Sequence, residues 1–167
     1  MPPAAVDVWN TLKRHWPEYL IEAAALGTFM VSATLFTALF EFMGSPVHRA
    51  IESAGVRRAM IGMAMGLTAI ALIYSRLGRR SGAHMNPCTT LTFLRLGKIK
   101  PWDAVFYVLA QFGGAIAAMA MVTAVPSAHA ADPSVNYVVT APGSSGQAPA
   151  FVAELGMAFG MMSVVLW

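Results

Sequence analysis

Four long apolar stretches divide the chain. They run over residues 20–40, 59–75, 104–125 and 150–167. Each is close to the length of about 20 residues that a helix needs to cross a hydrocarbon core of about 30 Å. Small residues such as Gly62, Gly66, Gly113 and Gly114 would let neighbouring helices approach closely. The pattern predicts an all-α membrane protein with several packed spans.

The composition agrees with a membrane protein and excludes several other classes. Of the 167 residues, 57% are hydrophobic and 11% are charged, whereas soluble domains carry about 25% charged residues. The net charge of +3 comes with no basic stripe interleaved with surface aromatics, so no nucleic-acid partner is predicted. Cys88 is the single cysteine, and no Cys/His group has metal-ligand spacing. We therefore predict no disulfide, no metal and no cofactor.

The basic residues predict the orientation in the membrane. The connection between the second and third stretches carries Arg76, Arg79, Arg80, Arg95, Lys98 and Lys100. The positive-inside rule places this connection in the cytoplasm, together with an N-terminal segment over residues 1–16. The connection over residues 126–149 then lies outside. We predict a multi-pass integral protein of the cell membrane, plasma or inner, with a cytoplasmic N-terminus.

Residues 81–96 of the basic connection do not have the composition of an ordinary loop. Asn86 followed by Pro87 favours a helix start, because asparagine caps a helix and proline at the first helical position loses no needed N–H. A helix from Pro87 to about Leu96 would span about 15 Å, half of the hydrocarbon thickness. Such a re-entrant half-helix needs a polar cavity for the irregular backbone before it. The alternative is a cytoplasmic turn capped by Asn-Pro.

The segment before the half-helix has the groups that a selective pore needs. We expect Gly82, Ala83, His84 and Met85 to be extended, with free carbonyl groups along one wall of the cavity. Asn86 and the helix N-terminus would supply donors and a positive partial charge. Such a site would orient water and repel protons and cations.

The string Ser81-Gly82-Ala83-His84-Met85-Asn86-Pro87 resembles the first pore-loop signature of the aquaporins, the major intrinsic proteins. The resemblance implies a six-helix bundle with two half-helices, assembled as a homotetramer when full length. It implies a passive channel for water or small neutral solutes such as glycerol, not an enzyme. The third motif position, normally alanine, is Cys88 here, near the constriction. By alignment, a pore-facing filter position falls at Met65 or Gly66, neither of which matches the phenylalanine of strict water channels.

The resemblance divides the chain into regions. Residues 17–125 would form the first repeat, with three spans and the half-helix over 81–96, and residues 126–149 the outer loop. Residues 150–167 would begin a second repeat, because Glu154 and its neighbours match the spacing around Glu22. A second Asn-Pro-Ala and the filter arginine do not follow. We expect an incomplete bundle, about four of the six spans, from a truncated sequence or a fragment.

Three polar residues lie inside apolar stretches. An unpaired carboxylate there costs about 2.5–3.5 kcal/mol, so Glu22 and Glu154 need partners. The resemblance implies that Glu22 braces the backbone of the loop over 82–85 and that Glu154 braces its counterpart; a proton relay is the alternative. Gln111 is expected to bond a neighbouring loop or helix, or to make a core bond without consequence for transport.

Two other functions remain open at this point. A secondary transporter could use a similar broken helix, and a truncated channel could conduct nothing. Aromatic residues near the predicted cytoplasmic helix ends are expected to form an interfacial belt. They are Trp9, Trp16, Tyr19, Trp102 and Tyr107.

Overall fold

The computed structural model describes residues 3–166, with the side chains of residues 8–166. Within that range the secondary structure is entirely helical, which confirms the all-α prediction. The α-helices are α1 (Pro3–Glu41), α2 (Pro46–Ala50), α3 (Ala54–Tyr74), α4 (Arg76–Ser81), α5 (Pro87–Arg95), α6 (Pro101–Thr123) and α7 (Gln147–Leu166). Two short 3-10 turns, Pro126–Ala128 and Asn136–Val138, lie in the connection before α7.

Four of these helices are long and apolar enough to cross a membrane. They are the stretch Val8–Glu41 of α1, and α3, α6 and α7. The helices start earlier than the apolar stretches. In α3 and α6 the added first turn contains a charged residue with a partner, since Arg57 pairs with Glu41 and Asp103 accepts from Tyr19. The main difference is in α1, which continues through Pro17 and does not break at the expected end of the N-terminal segment.

The closest helix crossing is between α1 and α6, and it depends on glycine. A Cβ atom added at Gly114 would overlap the carbonyl oxygen of Ala23, and one added at Gly27 would lie 3.1 Å from the carbonyl oxygen of Gly114. Small residues therefore bring these two backbones together, as in other membrane helix pairs. Gly113 has open space around it and takes no part in this crossing.

A buried arginine closes the connection between α1 and α3. Arg57 in the first turn of α3 forms an ion pair with Glu41 at the end of α1, with 3.1 Å between Nη2 and Oε2. Its Nη1 donates to the carbonyl oxygens of Ile51 and Glu52. The guanidinium thus satisfies backbone acceptors of the connection that carries α2.

The last helix, α7, stands largely apart from the others. None of its described residues is buried. Its contact with the half-helix is through Met162, whose sulfur lies 3.9 Å from the hydroxyl oxygen of Thr89. The packed core of the described chain is therefore built by α1 and α6, with α3, α4 and α5 around them.

Candidate pore loop

The first four of the five residues between α4 and α5, Gly82–Met85, form a left-handed turn and not the extended run that the sequence predicts. Gly82 has φ 90°, Ala83 has φ 46° and Met85 has φ 47°. The physical reason is that the N–H groups of His84 and Met85 both donate hydrogen bonds to one carboxylate. Successive N–H groups of an extended strand point to opposite sides, so an extended segment could not make both bonds.

That carboxylate belongs to Glu22 on α1, which is fully buried. Its Oε1 accepts from the Ser81 hydroxyl at 2.8 Å and from the His84 N–H at 3.0 Å. Its Oε2 accepts from the Met85 N–H at 2.8 Å and from the Gln111 side-chain amide at 3.0 Å. These four donors occupy the acceptor sites that an ionised carboxylate offers. The arrangement disperses a buried charge over neutral donors on α4, the loop and α6.

The hydrogen bonds of the loop backbone are one-sided. The N–H of Gly82 donates to Gly78 at 2.9 Å, and the N–H of Ala83 donates to the Ser81 hydroxyl at 3.2 Å. With the two bonds to Glu22, all four N–H groups from Gly82 to Met85 have partners. The four carbonyl oxygens of the same residues accept no hydrogen bond from the described part of the chain.

The half-helix α5 begins at Pro87 and is capped by Asn86. The side-chain oxygen of Asn86 accepts from the N–H of Cys88 at 2.8 Å, and Pro87 occupies the first turn. The side-chain N–H2 of Asn86 has no partner among residues 3–166. Cys88 is exposed. The cap therefore uses the oxygen of Asn86 and leaves its donor available next to the free carbonyl groups.

A second polar cluster joins the loop, α5 and α6. The Gln111 amide that bonds Glu22 also donates to the Thr90 hydroxyl at 3.1 Å. The Thr90 hydroxyl lies 3.0 Å from Nδ1 of His84 and 3.3 Å from the carbonyl oxygen of Asn86. Gln111 is fully buried, and its side-chain amide bonds α1 through Glu22 and the half-helix α5 through Thr90.

The prediction of an interfacial aromatic belt is wrong for two of its five residues. Tyr19 and Tyr107 are buried, at 5% and 7% exposure, while the three tryptophans are exposed. Tyr107 donates its hydroxyl to the carbonyl oxygen of Ser81 at 2.6 Å, and Tyr19 donates to Asp103 at 2.6 Å. The signal that the sequence offered was the spacing of Asp103, Tyr107 and Gln111, which puts three polar side chains on one face of a helix.

The remaining predicted residues lie elsewhere. Met65 is half-buried on α3, and Glu154 is exposed on α7. The described residues contain no group of three histidine, cysteine or acidic side chains that could hold a metal ion. The structure thus brings together Glu22, Gln111 and the loop from Ser81 to Cys88, with Met65 and Glu154 on other helices.

Comparison with known proteins adds an independent observation. The model of the family described as "Major intrinsic protein" matches residues 16–167. The chain belongs to the major intrinsic protein family. This confirms the family inferred from the string Ser81–Pro87, and with the four apolar helices it establishes an integral membrane protein.

Several curated members of the major intrinsic protein family are similar to this chain. Aquaporin Z of Rhodopseudomonas palustris is 29% identical over 156 residues, which cover 89% of this chain and 61% of that protein. Aquaporin-5 of Ovis aries is 41% identical over 87 residues, covering 52% of this chain and 32% of that protein. The probable aquaporin AqpM of Archaeoglobus fulgidus is 36% identical over 107 residues, which cover 64% of this chain and 43% of that protein. No solved structure matches.

The chain spans 61% of the length of aquaporin Z and smaller shares of the other two relatives.

Proposed function

We propose that this member of the major intrinsic protein family supplies the cytoplasmic pore loop of a passive channel for water and small neutral solutes such as glycerol, and that it catalyses no reaction. The observation that carries the proposal is the one-sided loop. All four N–H groups from Gly82 to Met85 are bonded to protein, while their four carbonyl oxygens are free. Gly82 is exposed and residues 83–85 are half-buried, and at membrane depth backbone acceptors stay unpaired by protein only where another partner, such as water, reaches them.

The proposed pathway uses acceptors on the loop and donors at the half-helix. Water donates to the carbonyl oxygens of Gly82, Ala83, His84 and Met85, and accepts from the side-chain N–H2 of Asn86 at the start of α5. The N-terminus of α5, set by Pro87, adds a positive partial charge. This charge fixes the orientation of water and disfavours protons and other cations, which is the proposed basis of proton exclusion.

Two further residues are proposed to affect the solute range. Cys88 follows the Asn-Pro pair and is exposed, so its thiol lies beside the proposed pathway near the constriction. Met65 on α3 is proposed as the filter position on that helix, where a flexible side chain suits a wider passage than an aromatic ring. Glu22 and Gln111 serve as the brace of this loop, and Glu154 serves the corresponding loop of the second repeat.

The proposed topology follows the charge distribution. The connection that carries α4 and α5 holds six of the eleven basic residues, which favours a cytoplasmic position for it and for the N-terminus. Residues 17–125 then form the first repeat, residues 126–149 an outer loop and residues 150–167 the start of the second repeat. The assembled channel is proposed to be a homotetramer in the plasma or inner membrane.

A secondary transporter is a weaker candidate. It needs an ionisable residue that is free to bind an ion or substrate, and Glu22 is the carboxylate nearest the broken helix. Its four acceptor positions are already used by protein donors. The same saturation argues against a proton relay through Glu22.

Water flux through liposomes that contain this chain tests the proposal. Stopped-flow light scattering after a sucrose step should show faster shrinkage than empty liposomes, and a glycerol gradient decides whether glycerol also passes. Asn86→Asp keeps a capping oxygen but removes the N–H2 donor, so it should abolish the gain. The matched control is Asn136→Asp on the outer loop, where the asparagine is exposed and the gain should persist. Shrinkage no faster than that of empty liposomes would reject a conducting chain.

A further inference from the structure

We propose that Tyr107 on α6 is a positioning residue that sets the conformation of the pore loop. Its hydroxyl and its ring contact Ser81 and His84, which lie on either side of the left-handed residues Gly82 and Ala83. The role of the loop in transport rests on the proposed function. The positioning role of Tyr107 rests only on its contacts with the loop.

The first contact fixes the point where the chain leaves α4. Ser81 is the last residue of α4, and its carbonyl oxygen accepts from the Tyr107 hydroxyl at 2.6 Å. The Ser81 hydroxyl donates to Glu22 and accepts from the N–H of Ala83. Ser81 is therefore held from α1 through its side chain and from α6 through its backbone.

The second contact fixes the loop at His84. The ring of Tyr107 lies 5.0 Å from the ring of His84, measured between centroids. The His84 ring also stacks on Phe93 of α5, at 4.9 Å, and its Nδ1 lies 3.0 Å from the Thr90 hydroxyl. Tyr107, Phe93 and Thr90 therefore contact His84 from different sides, so its side chain has little freedom to rotate.

The backbone between these contacts needs such support. Ala83 and Met85 are non-glycine residues with positive φ. Residues in this region persist only where the surrounding structure over-determines them. Glu22 accepts from the N–H groups of His84 and Met85, and Tyr107 contacts Ser81 and His84.

Tyr107 is itself rigidly placed. Its ring meets the ring of Tyr19 edge to face, with 5.5 Å between centroids. The Tyr19 hydroxyl donates to Asp103, which lies four residues before Tyr107 on α6, and His15 contacts the same carboxylate oxygen at 2.7 Å. A residue held in this way can transmit its position to the loop.

The test is the Tyr107→Phe variant, which keeps the ring and removes the hydroxyl. Backbone hydrogen exchange, measured by NMR on the whole chain in detergent micelles, should rise about three- to tenfold at His84 and Met85, the range expected for one lost hydrogen bond. Exchange in the body of α1 and α6 should stay unchanged. Alkylation of Cys88 by a maleimide, a second reporter of loop geometry, should change in rate. The matched control is Tyr74→Phe, since Tyr74 is exposed on α3.

The outcomes separate the two proposals. Faster exchange confined to His84 and Met85 supports the positioning role, even where liposomes show no water flux and the channel proposal fails. Exchange at these two amides equal to that of Tyr74→Phe overturns the positioning role. A uniform rise over all helices also overturns it, because it reports a loss of global stability.

Discussion

Replacing Glu22 with glutamine tests the central contact of the pore loop. Glutamine has nearly the same shape but presents one acceptor oxygen and one N–H2 group in place of two acceptor oxygens. The carboxylate accepts from Ser81 and His84 at Oε1, and from Met85 and Gln111 at Oε2. One of these two pairs must therefore face the N–H2 group in the variant.

The structure indicates which pair will face it. A serine hydroxyl both donates and accepts, so Ser81 can accept from the new N–H2 group and turn its proton towards the carbonyl oxygen of Gly78, 3.5 Å away. His84 has only its backbone N–H and loses its partner. An unpaired buried N–H costs about 1–3 kcal/mol. The remaining hydrogen bonds become weaker, and the removal of a buried charge offsets part of this loss in stability. We expect a net destabilisation of about 2 kcal/mol.

Two measurements check this expectation. The free energy of unfolding, followed by circular dichroism in mixed micelles, should fall by about 2 kcal/mol relative to Glu52→Gln, the same substitution at an exposed site before α3. Hydrogen exchange at the His84 N–H should rise about thirtyfold, the factor that corresponds to 2 kcal/mol, and exceed the rise at Met85. If both variants unfold alike and His84 exchanges no faster than Met85, the brace does not hold the loop in the way described.

Two further predictions concern helix packing and the connection between α6 and α7. Gly114→Ala should destabilise the chain by about 1–3 kcal/mol, because the new methyl group overlaps the carbonyl oxygen of Ala23. Gly113→Ala, the control, should be neutral or slightly stabilising. Thermal unfolding of the two variants in micelles compares their stability, and equal effects would contradict the close crossing. The hydroxyl and N–H of Ser134 donate to Asp132 and hold the pKa of that carboxyl below its usual range. The bonded loop is therefore stabilised at neutral pH, and this stabilisation is lost as the pH falls through the lowered pKa. NMR titration of Asp132 should give a midpoint that moves upwards in Ser134→Ala, and an unchanged midpoint would contradict the assignment.

The sequence predicts the parts of this structure that depend on local physics. The helix start at Pro87 follows from the cap that Asn86 provides and from the fixed φ of proline, which need no information about the rest of the chain. The four long helices follow from apolar length in the same way. The family follows from the string Ser81–Pro87, which is specific enough to be read without a structure.

The contacts around the loop could not be derived in the same way. Whether Tyr107 faces lipid or the interior depends on which side of α6 packs against α1, and a tyrosine near a helix end fits either position. The conformation of Gly82–Met85 depends on Glu22, which lies about 60 residues earlier in the chain. A local pattern cannot show that two successive N–H groups converge on one distant carboxylate, so the extended run was the wrong expectation.

The closest point of the α1–α6 crossing lies beside the brace. Ala23, whose carbonyl oxygen would meet a Cβ atom on Gly114, is the residue after Glu22. Gly114 itself lies three residues after Gln111, which donates to Glu22 at 3.0 Å. A larger residue at Gly114 would widen the helix spacing at the position where this hydrogen bond must form. The small residues and the buried polar residues of the two helices therefore depend on each other, since close packing of α1 and α6 brings the donor of Gln111 within reach of the carboxylate that holds the loop.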